Sequence, residues 1–278
     1  MKFTKMHGTG NDYIYVNGFE EKLENPSEAA VKLSDRRFGI GSDGLILILP
    51  SDVADCRMEM FNADGSIGKM CGNGIRCVAK YVYDRGLVKK DVLRVETRSG
   101  VKTLQLRVED GKVASVRVNM GQPELDPEKI PVLFSKDRMV DEEVYTPSGN
   151  VWRVTCVSMG NPHAVIFVDD VEGLNLPAIG PEMEKHAMFP ERANIEFAQV
   201  TGPHEVQMRV WERGSGETFA CGTGACACAV ASVLTGKADR DVTVHLRGGD
   251  LHVFWDPDTD DVYMEGPAAF VFDGTVEI

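Results

Sequence analysis

The feature that most constrains the fold of this chain is an internal repeat. Three short motifs recur at a single offset of 150 residues: Gly10-Asn11 and Gly160-Asn161, Cys71-Gly72-x-Gly74 and Cys221-Gly222-x-Gly224, and Gly86 and Gly236. One match at an arbitrary spacing means little, whereas three at the same spacing indicate a duplicated structural unit. We therefore expect two similar halves.

The segments around these motifs predict the same elements in both halves. Each Gly-Asn pair is followed by a run typical of a β-strand, YIYV at 13–16 and AVIFV at 164–168. Each cysteine precedes about fifteen residues of helical character that end at Gly86 or Gly236, a residue suited to a helix C-cap. The stretches LRVETRSGVKTLQLRV and VTVHLRGGDLHVFW then predict hairpins. The fold class is α+β, with two pseudo-symmetric domains, each a mostly antiparallel sheet with a central helix.

Composition limits the function classes. The 278 residues can form two domains of ordinary size, and the net charge of −13 disfavours a nucleic-acid surface, which needs a basic footprint. The longest apolar runs, Leu45–Leu49 and Ala225–Leu234, are too short to span a bilayer, and the first residues lack the apolar core of a secretory signal. Seven cysteines, an odd number, favour free thiols in a cytoplasmic environment.

Cys71 and Cys221 stand where the two predicted helices begin. The first backbone N–H groups of a helix have no partner within it, and the helix dipole adds partial positive charge there. The adjoining glycines let a carboxylate approach these N–H groups. The same field favours thiolate, so we expect the pKa of both cysteines to lie below its usual value of about 8.5. The sequence ACACAVASVL is apolar on all faces and predicts a buried helix.

The other cysteines are interpreted as core residues, since a lone cysteine beside an apolar segment behaves as a small hydrophobe. They are Cys56, Cys77, Cys156, Cys226 and Cys228. Zinc is an alternative, because Cys221, Cys226 and Cys228 form a C-x₄-C-x-C pattern. That pattern lacks the paired CxxC of a zinc ribbon and has no nearby histidine, and the sequence holds no CxxC for thioredoxin-like chemistry.

His163, in SMGNPHAV, raises the alternative of a Cys–His nucleophile. A hydrolase needs one nucleophile, however, and gives no reason for a second cysteine in a matching frame. A symmetric pair favours a symmetric reaction, in which one base removes a proton from a carbon and an opposed acid returns another. Most of the rate enhancement must then come from donors that stabilise the charge developing on an adjacent carboxylate.

Longer motifs together resemble those of the diaminopimelate epimerase family, cofactor-independent isomerases of lysine and cell-wall biosynthesis. They are MHGTGNDY, FNADGS, MCGNGIRC, SMGNPH, WERGSGET and ACGTGACA, followed by the terminal YMEGPAAFVFDG. They occur in the family's order, so the resemblance covers essentially the whole chain. It implies epimerisation of LL-2,6-diaminopimelate to the meso isomer, with no cofactor and no metal.

The resemblance also implies a domain arrangement. Each domain is expected to be a barrel-like sheet around a central helix, with the active site in the cleft between the two domains. The N-terminal domain is expected to comprise residues 1–120 and 267–278, because the last strand of this fold returns to the first domain. The C-terminal domain is expected to comprise residues 121–266.

Site residues are carried over motif by motif. Cys71 and Cys221 are the expected acid–base pair, with Cys71 as proton donor and Cys221 as proton acceptor for the LL substrate. His163 and Glu212 match positions that tune the reacting centre. The expected substrate-binding residues offer polar side chains or helix-end N–H groups: Asn11, Asn62, Gly72, Asn73, Asn161, Asn194, Glu212, Arg213, Gly222 and Thr223.

These residues have distinct expected roles. The N–H groups at both helix starts hold the reacting carboxylate, and Thr223 keeps the hydroxyl that serine supplies in other members. Arg213 can bind a second carboxylate bidentately, and Glu212 can bind an ammonium group. Without the resemblance, the asparagines are equally well explained as turn residues, and His163 as a structural histidine.

Two alternatives stay open at this point. Proline and hydroxyproline epimerases share the two-cysteine plan, although WERGSGET favours a substrate with a second amino-acid head. A zinc- or thiol-based binding protein would bind metal and turn nothing over. The expected partner is small-molecule diaminopimelate, with no nucleic acid and no membrane, and the family implies a cytoplasmic homodimer.

Overall fold

The structure is a computed structural model that describes residues 1–68 and 70–278. The chain divides into two compact units, here named unit 1 (Met1–Asn119 and Glu265–Ile278) and unit 2 (Met120–Met264). Among the described residues each unit combines two helices with a mostly antiparallel sheet, which confirms the α+β class.

The elements of the first part of the chain alternate short strands with two helices. They are β1 (Lys2–Gly8), β2 (Asn11–Asn17), α1 (Pro26–Ser34), β3 (Gly44–Leu49), β4 (Cys56–Asn62), β5 (Ile67–Gly68), α2 (Gly72–Asp84), β6 (Val92–Thr97), β7 (Gly100–Glu109) and β8 (Lys112–Gly121).

The elements that follow repeat this order, with one strand added before it and one after it. They are β9 (Glu142–Tyr145), β10 (Val151–Ser158), β11 (Pro162–Phe167), α3 (Leu176–Glu184), β12 (Asn194–Gly202), β13 (Glu205–Glu212), β14 (Gly216–Thr218), α4 (Gly222–Leu234), β15 (Asp241–Leu246), β16 (Gly249–Trp255), β17 (Val262–Gly266) and β18 (Ala269–Thr275).

The sheet of unit 1 runs β18-β1-β2-β3-β4-β6-β7-β8. Its neighbours are antiparallel except for β2–β3 and β4–β6. Parallel neighbours require a crossover connection, and α1 and α2 lie in these two crossovers. The Cys71 helix therefore belongs to the connection between two parallel strands.

The sheet of unit 2 runs β9-β10-β11-β12-β13-β15-β16 and has the same two parallel pairs, β11–β12 and β13–β15. Their crossovers contain α3 and α4. β9 lies in the segment 122–150, which is rich in proline and charged residues, and it pairs with β10 as β18 pairs with β1.

The two helices of each unit pack differently. α1 and α3 cover separate apolar cores, which include Leu33 and Ile14 in unit 1 and Leu176 and Phe197 in unit 2. α2 and α4 are buried along most of their length, and α4 packs against β10–β13, β15 and β16, as its all-round apolar sequence predicts. No helix in the described part of the chain is long and apolar enough to cross a membrane.

Both buried helices end as the sequence predicts. Gly86 (φ 78°) and Gly236 (φ 67°) adopt the left-handed conformation that glycine reaches without steric cost. Beyond them, the Leu87 N–H donates to the Val82 carbonyl and the Lys237 N–H to the Ser232 carbonyl. This is the hydrogen-bond pattern of a Schellman C-cap.

Candidate functional site

Cys71 and Cys221 occupy the N-cap positions of α2 and α4. Their backbones are extended, with φ −133° and ψ 121° at Cys71 and φ −125° and ψ 109° at Cys221. Gly72 and Gly222 are the first helical residues, so the first-turn N–H groups, which have no acceptor within the helix, lie directly after each cysteine. Each unit therefore places a thiol beside a potential carboxylate-binding helix end.

The third residue after each cap must be small. A Cβ on Gly74 would lie 2.7 Å from Ile46 Cδ1, and a Cβ on Gly224 would lie 2.7 Å from Glu196 Oε1. Both glycines thus let a side chain of a neighbouring strand pack closely against the helix start.

The Cys71 half-site is the set of unit 1 groups around this thiol. Cys71 Sγ donates to Asn11 Oδ1 at 3.4 Å and accepts from the Gly74 N–H at 3.3 Å. Asn73 Nδ2 also donates to Asn11 Oδ1, at 3.4 Å. Asn11 Nδ2 donates to Asp43 Oδ2 at 2.6 Å, so Asp43 fixes the amide with its oxygen toward the thiol.

A fully buried arginine lies in α2 one turn after Cys71. The Arg76 guanidinium donates to the Gly72 carbonyl at 3.1 Å, the Thr9 hydroxyl at 3.3 Å and the Pro267 carbonyl at 3.2 Å. It brings a positive charge close to Cys71. The sequence analysis missed this residue, although an arginine inside the apolar run GIRCVA was an available signal.

The Cys221 half-site is the corresponding set in unit 2. Cys221 is 5% exposed, and its Sγ lies 3.5 Å from the Thr223 hydroxyl. The Glu212 carboxylate lies close enough to raise the pKa of Cys221, and it accepts a hydrogen bond from the Thr218 hydroxyl. Thus Cys221, Thr223 and Glu212, all named from the sequence, lie together.

His163 lies on β11 and is fully buried. Its Nδ1 lies 2.6 Å from Glu196 Oε1, and its Nε2 lies 3.1 Å from Asn161 Oδ1. The structure therefore brings His163 and Asn161 together, as the motif predicts. Glu196, on β12, was missed; the signal was a single acid inside the otherwise apolar strand ANIEFA.

The remaining predicted residues make local contacts. Asn62 Nδ2 donates to the Ser66 hydroxyl at 2.9 Å within the turn after β4. Asn194 Nδ2 donates to the Pro162 carbonyl at 3.0 Å, and its Oδ1 accepts from the Arg213 N–H at 2.9 Å. The Arg213 side chain is exposed and donates to the Glu191 carbonyl. Asn194 therefore holds the backbone that carries Arg213.

The pKa of Cys71 differs from the expectation. Burial raises it, while the N–H groups of Gly74 and Asn73 oppose that effect. The Tyr13 hydroxyl and the Arg76 guanidinium also favour the thiolate, without reversing the shift.

At Cys221 the shift is larger. Burial raises its pKa well above the usual range, and the Glu212 and Glu196 carboxylates raise it further. Hydrogen bonds from Thr223 and the Gly224 N–H oppose this shift.

The expected lowering of the cysteine pKa values is therefore wrong for both thiols. A helix start favours a thiolate only through its few N–H groups, whereas burial removes most of the water that would solvate the charged sulfur. In each unit by itself, the loss of solvation is the larger effect.

The other cysteines are core residues, as predicted. All seven cysteines are free, and the five outside the helix caps are fully buried. Burial raises the pKa of Cys56 to about 12 and that of Cys77 to about 11, so these thiols are inert. Within residues 1–68 and 70–278, no three or more His, Cys, Asp or Glu side chains are grouped so that they could hold a metal ion.

The sequence of this chain is similar to those of known proteins. A family model described as diaminopimelate epimerase matches residues 3–125 and 155–271. A diaminopimelate epimerase from Desulfovibrio desulfuricans is 58% identical over 99% of this chain and 97% of its own length. Those from Acetivibrio thermocellus and Methanococcus maripaludis are 59% and 54% identical, over 100% of this chain and 99% and 100% of theirs.

Solved structures show the same fold at low sequence identity. A Bacillus anthracis phenazine biosynthesis protein of the PhzF family has a TM-score of 0.73 at 17% identity, covering 100% of this chain and 99% of that one. A probable proline racemase from Agrobacterium radiobacter, with bound carbonate, has a TM-score of 0.72 at 15% identity, covering 100% and 93%. These likenesses concern the fold alone.

Proposed function

Because this chain belongs to the diaminopimelate epimerase family, we propose that it interconverts LL- and meso-2,6-diaminopimelate by moving one proton at an α-carbon. The reaction is a step in the synthesis of lysine and of peptidoglycan precursors. The observation that carries the proposal is the cysteine at the N-cap of a buried helix in each unit, at equivalent positions of the repeat.

The proposed reaction uses the two thiols in opposite protonation states. The thiolate of one cysteine takes the α-proton, and the thiol of the other gives its proton to the opposite side of the carbanion. One C–H and one S–H bond break while one of each forms, so the thiolate moves from one cysteine to the other. For the LL substrate we assign Cys221 as acceptor and Cys71 as donor, with the roles exchanged in reverse.

Helix-end donors supply the larger share of catalysis in this proposal. As the α-proton leaves, negative charge spreads onto the adjoining carboxylate. The first-turn N–H groups of Gly72 and Asn73, and of Gly222 and Thr223, are preorganised for such an anion. They interact more strongly with the developing dianion than with the ground-state carboxylate, which is the condition for lowering the barrier.

The raised pKa of Cys221 fits the proposed role of Glu212. A thiolate with a high pKa is a stronger base toward a weakly acidic C–H bond, but it is less populated at neutral pH. The Glu212 carboxylate, whose charge acts on Cys221, gives this proton an acceptor. Burial raises the pKa of the Glu212 carboxyl, which increases its affinity for the proton.

The second amino-acid head of the substrate requires its own polar groups. We assign these contacts to Asn11, Asn62, Asn161, Asn194, Glu212 and Arg213. Arg213 presents an exposed guanidinium for a carboxylate, while Asn194 fixes the Arg213 backbone. The enzyme is proposed to work without a cofactor.

We also propose a cytoplasmic homodimer. Seven free thiols suit a reducing compartment, and the dimer follows from the family resemblance. Light scattering after gel filtration, over a dilution series, should give twice the chain mass of 30.5 kDa. A mass equal to one chain at every concentration would contradict the dimer.

The function is tested by proton NMR of LL-diaminopimelate with the reduced enzyme in D₂O. A metal chelator is present, pyridoxal phosphate is left out, and proline is run as a second substrate. We expect the α-proton signal of diaminopimelate to disappear as the meso isomer forms, and the proline signal to stay unchanged.

The other outcomes are informative. Exchange on proline alone would keep the two-base chemistry and change the substrate. No exchange on either compound, with reduced thiols confirmed by titration, would contradict the proposed activity.

A further inference from the structure

Glu196 is a buried carboxyl group with an incomplete set of hydrogen bonds. It lies on β12 between Ile195 and Phe197 and is 0% exposed. Its Oε1 lies 2.6 Å from His163 Nδ1, but among the described residues its Oε2 has no hydrogen-bond partner. Burying a polar atom without a partner costs free energy, so this acid is poorly explained by stability alone.

The fold does not require an acid at this place. In unit 1 the equivalent position of the repeat is Ile46, and its Cδ1 lies against Gly74 as Glu196 Oε1 lies against Gly224. In both units, a Cβ added to the glycine would lie only 2.7 Å from that side-chain atom. An aliphatic side chain therefore fills the same space in the same structural unit, and the carboxyl group of Glu196 needs another explanation.

That explanation lies in the contacts of His163. Its Nε2 lies 3.1 Å from Asn161 Oδ1, an amide oxygen that can only accept a hydrogen bond, so Nε2 must carry a proton. Its Nδ1 then either donates to an ionised Glu196 or accepts from a protonated one. In both arrangements the pair has no net charge and Nε2 remains a donor, so Glu196 fixes the state of the ring.

The ring in turn fixes the amide of Asn161. Because its oxygen accepts from His163, its Nδ2 faces away from the ring and has no hydrogen-bond partner within the described ranges. The equivalent residue, Asn11, is held the other way: its Nδ2 donates to Asp43, and its oxygen accepts from Cys71. The two asparagines of the repeat thus present opposite ends of their amides.

We propose that Glu196 is a positioning residue of the Cys221 half-site, which acts through His163 to hold the Asn161 NH₂ group as a hydrogen-bond donor toward a substrate carboxylate. The inference rests on the proposed function, because the carboxylate is that of diaminopimelate. Glu196 itself does not touch the substrate.

Two substitutions of Glu196 separate positioning from charge. Glu196→Met keeps a side chain of similar length but cannot bond to His163. Glu196→Gln is the matched control, since its amide NH₂ can donate to Nδ1 and so retains the proton on Nε2. We expect Glu196→Met to lower kcat/KM roughly 10- to 100-fold, mainly through KM, because a misplaced binding group costs about that much. Glu196→Gln should stay close to the unaltered enzyme.

The protonation state of the ring is measured directly on the substrate-free protein. With ¹⁵N-labelled histidine, the His163 ring signals are assigned by their loss in His163→Gln. We expect a protonated Nε2 in the unaltered protein and in Glu196→Gln. In Glu196→Met, we expect Nε2–H to be lost or to exchange rapidly with solvent. Thermal unfolding of each variant confirms that it is folded.

Three results would overturn the inference: equal KM values in Glu196→Met and the unaltered enzyme, equal losses in the Met and Gln variants, or an unprotonated Nε2 in the unaltered protein. The second would assign the role to the negative charge. If Glu196→Met does not fold, the inference is still tested by the kinetics of Glu196→Gln and by the ¹⁵N spectrum of the His163 ring in the unaltered protein. If the unaltered protein does not turn over diaminopimelate, the proposed function fails, whereas the ring spectrum still tests the Glu196–His163–Asn161 chain.

Discussion

The Cys71 and Cys221 half-sites share a backbone and differ in charge. In each, the cysteine caps a buried crossover helix, and the first-turn N–H groups that follow have no partner within the helix. The buried charge near Cys71 is the Arg76 guanidinium, whereas the groups near Cys221 are the Glu212 and Glu196 carboxyls. The duplicated fold thus keeps the geometry of the thiols while their electrostatic surroundings differ.

The difference can be traced position by position through the repeat. Four of the equivalent pairs that differ are Tyr13 and His163, Ile46 and Glu196, Asn62 and Glu212, and Arg76 and Cys226. In these four pairs the carboxyl groups and the imidazole lie in unit 2, and the arginine lies in unit 1. Consequently Cys221 holds its proton more firmly than Cys71.

The largest expected effect tests what the half-sites share. Cys71→Ala and Cys221→Ala should each lower the epimerisation rate by at least about 10³-fold, since each removes one of two obligatory proton carriers. The rate is followed by NMR or by circular dichroism of the substrate. Cys56→Ala, which removes a buried thiol on β4, is the control and should retain activity. A cysteine variant that keeps most of its activity would contradict the two-base mechanism.

The next largest effect is expected at a carboxyl group near Cys221. Glu212→Gln should lower kcat/KM roughly 10²-fold, because the amide cannot take the Cys221 proton or pair with a substrate ammonium group. Steady-state kinetics in both directions measure it. Glu205→Gln, at the opposite end of β13 and paired with His245, is a matched control with unchanged kinetics expected. Similar losses in both variants would mean that β13 is merely destabilised.

Thiol reactivity measures the asymmetry itself. We expect iodoacetamide to alkylate Cys71 faster than Cys221, because the pKa of Cys71 is raised less and Cys71 is also more exposed. Mass spectrometry of peptides after timed quenching gives both rates. Arg76→Met should reduce the difference. Faster modification of Cys221 would reverse the order of the two pKa values.

The smallest effect concerns the strands that complete the two sheets. The Arg85 guanidinium and then the Thr4 hydroxyl lower the pKa of Asp273, on β18. A carboxyl group with a lower pKa in the folded than in the unfolded protein stabilises the fold at pH values above its unfolded pKa of about 3.9. This stabilisation is lost as the pH falls through the folded pKa. The Arg85 and Asp273 side chains are both substantially exposed. Asp273→Asn should therefore lower the free energy of unfolding by less than about 1 kcal/mol at pH 7 and leave it unchanged near pH 2.

Thermal unfolding at both pH values, with and without added salt, measures the Asp273 effect. The matched change in unit 2 is Asp141→Asn, next to β9, where Arg153 lowers the pKa of the carboxyl. A loss that persists at low pH would assign the role of Asp273 to its hydrogen bonds rather than its charge.

Local signals explain how much of the fold could be predicted from the sequence. Capping residues predict, within a few positions, where the two buried helices begin (Gly72 and Gly222) and end (Gly86 and Gly236). Because the sequence repeats, a prediction made for one half also applies to the other. β9 was missed because its four residues lie in a polar connection and gain stability only by pairing with β10.

The site could be predicted only as far as its motifs reach. The neighbours Cys221, Thr223 and Glu212 were found because the family motifs contain them. Glu196 and Arg76 were missed, and the cysteine pKa shifts had the wrong sign, because all depend on burial by distant strands. The contacts of Asn194 with Pro162 and Arg213 likewise join segments that are separate in the sequence.

The pairing of β18 with β1 has a consequence for synthesis on the ribosome. Unit 2 is one continuous segment, 120–264, so all of its strands emerge before β18 does. Unit 1 begins to emerge first, yet β1 lacks its antiparallel partner until residues 269–275 are translated. All strands of the Cys221 half-site are therefore translated while β1, which packs against the Cys71 helix, still has an open edge.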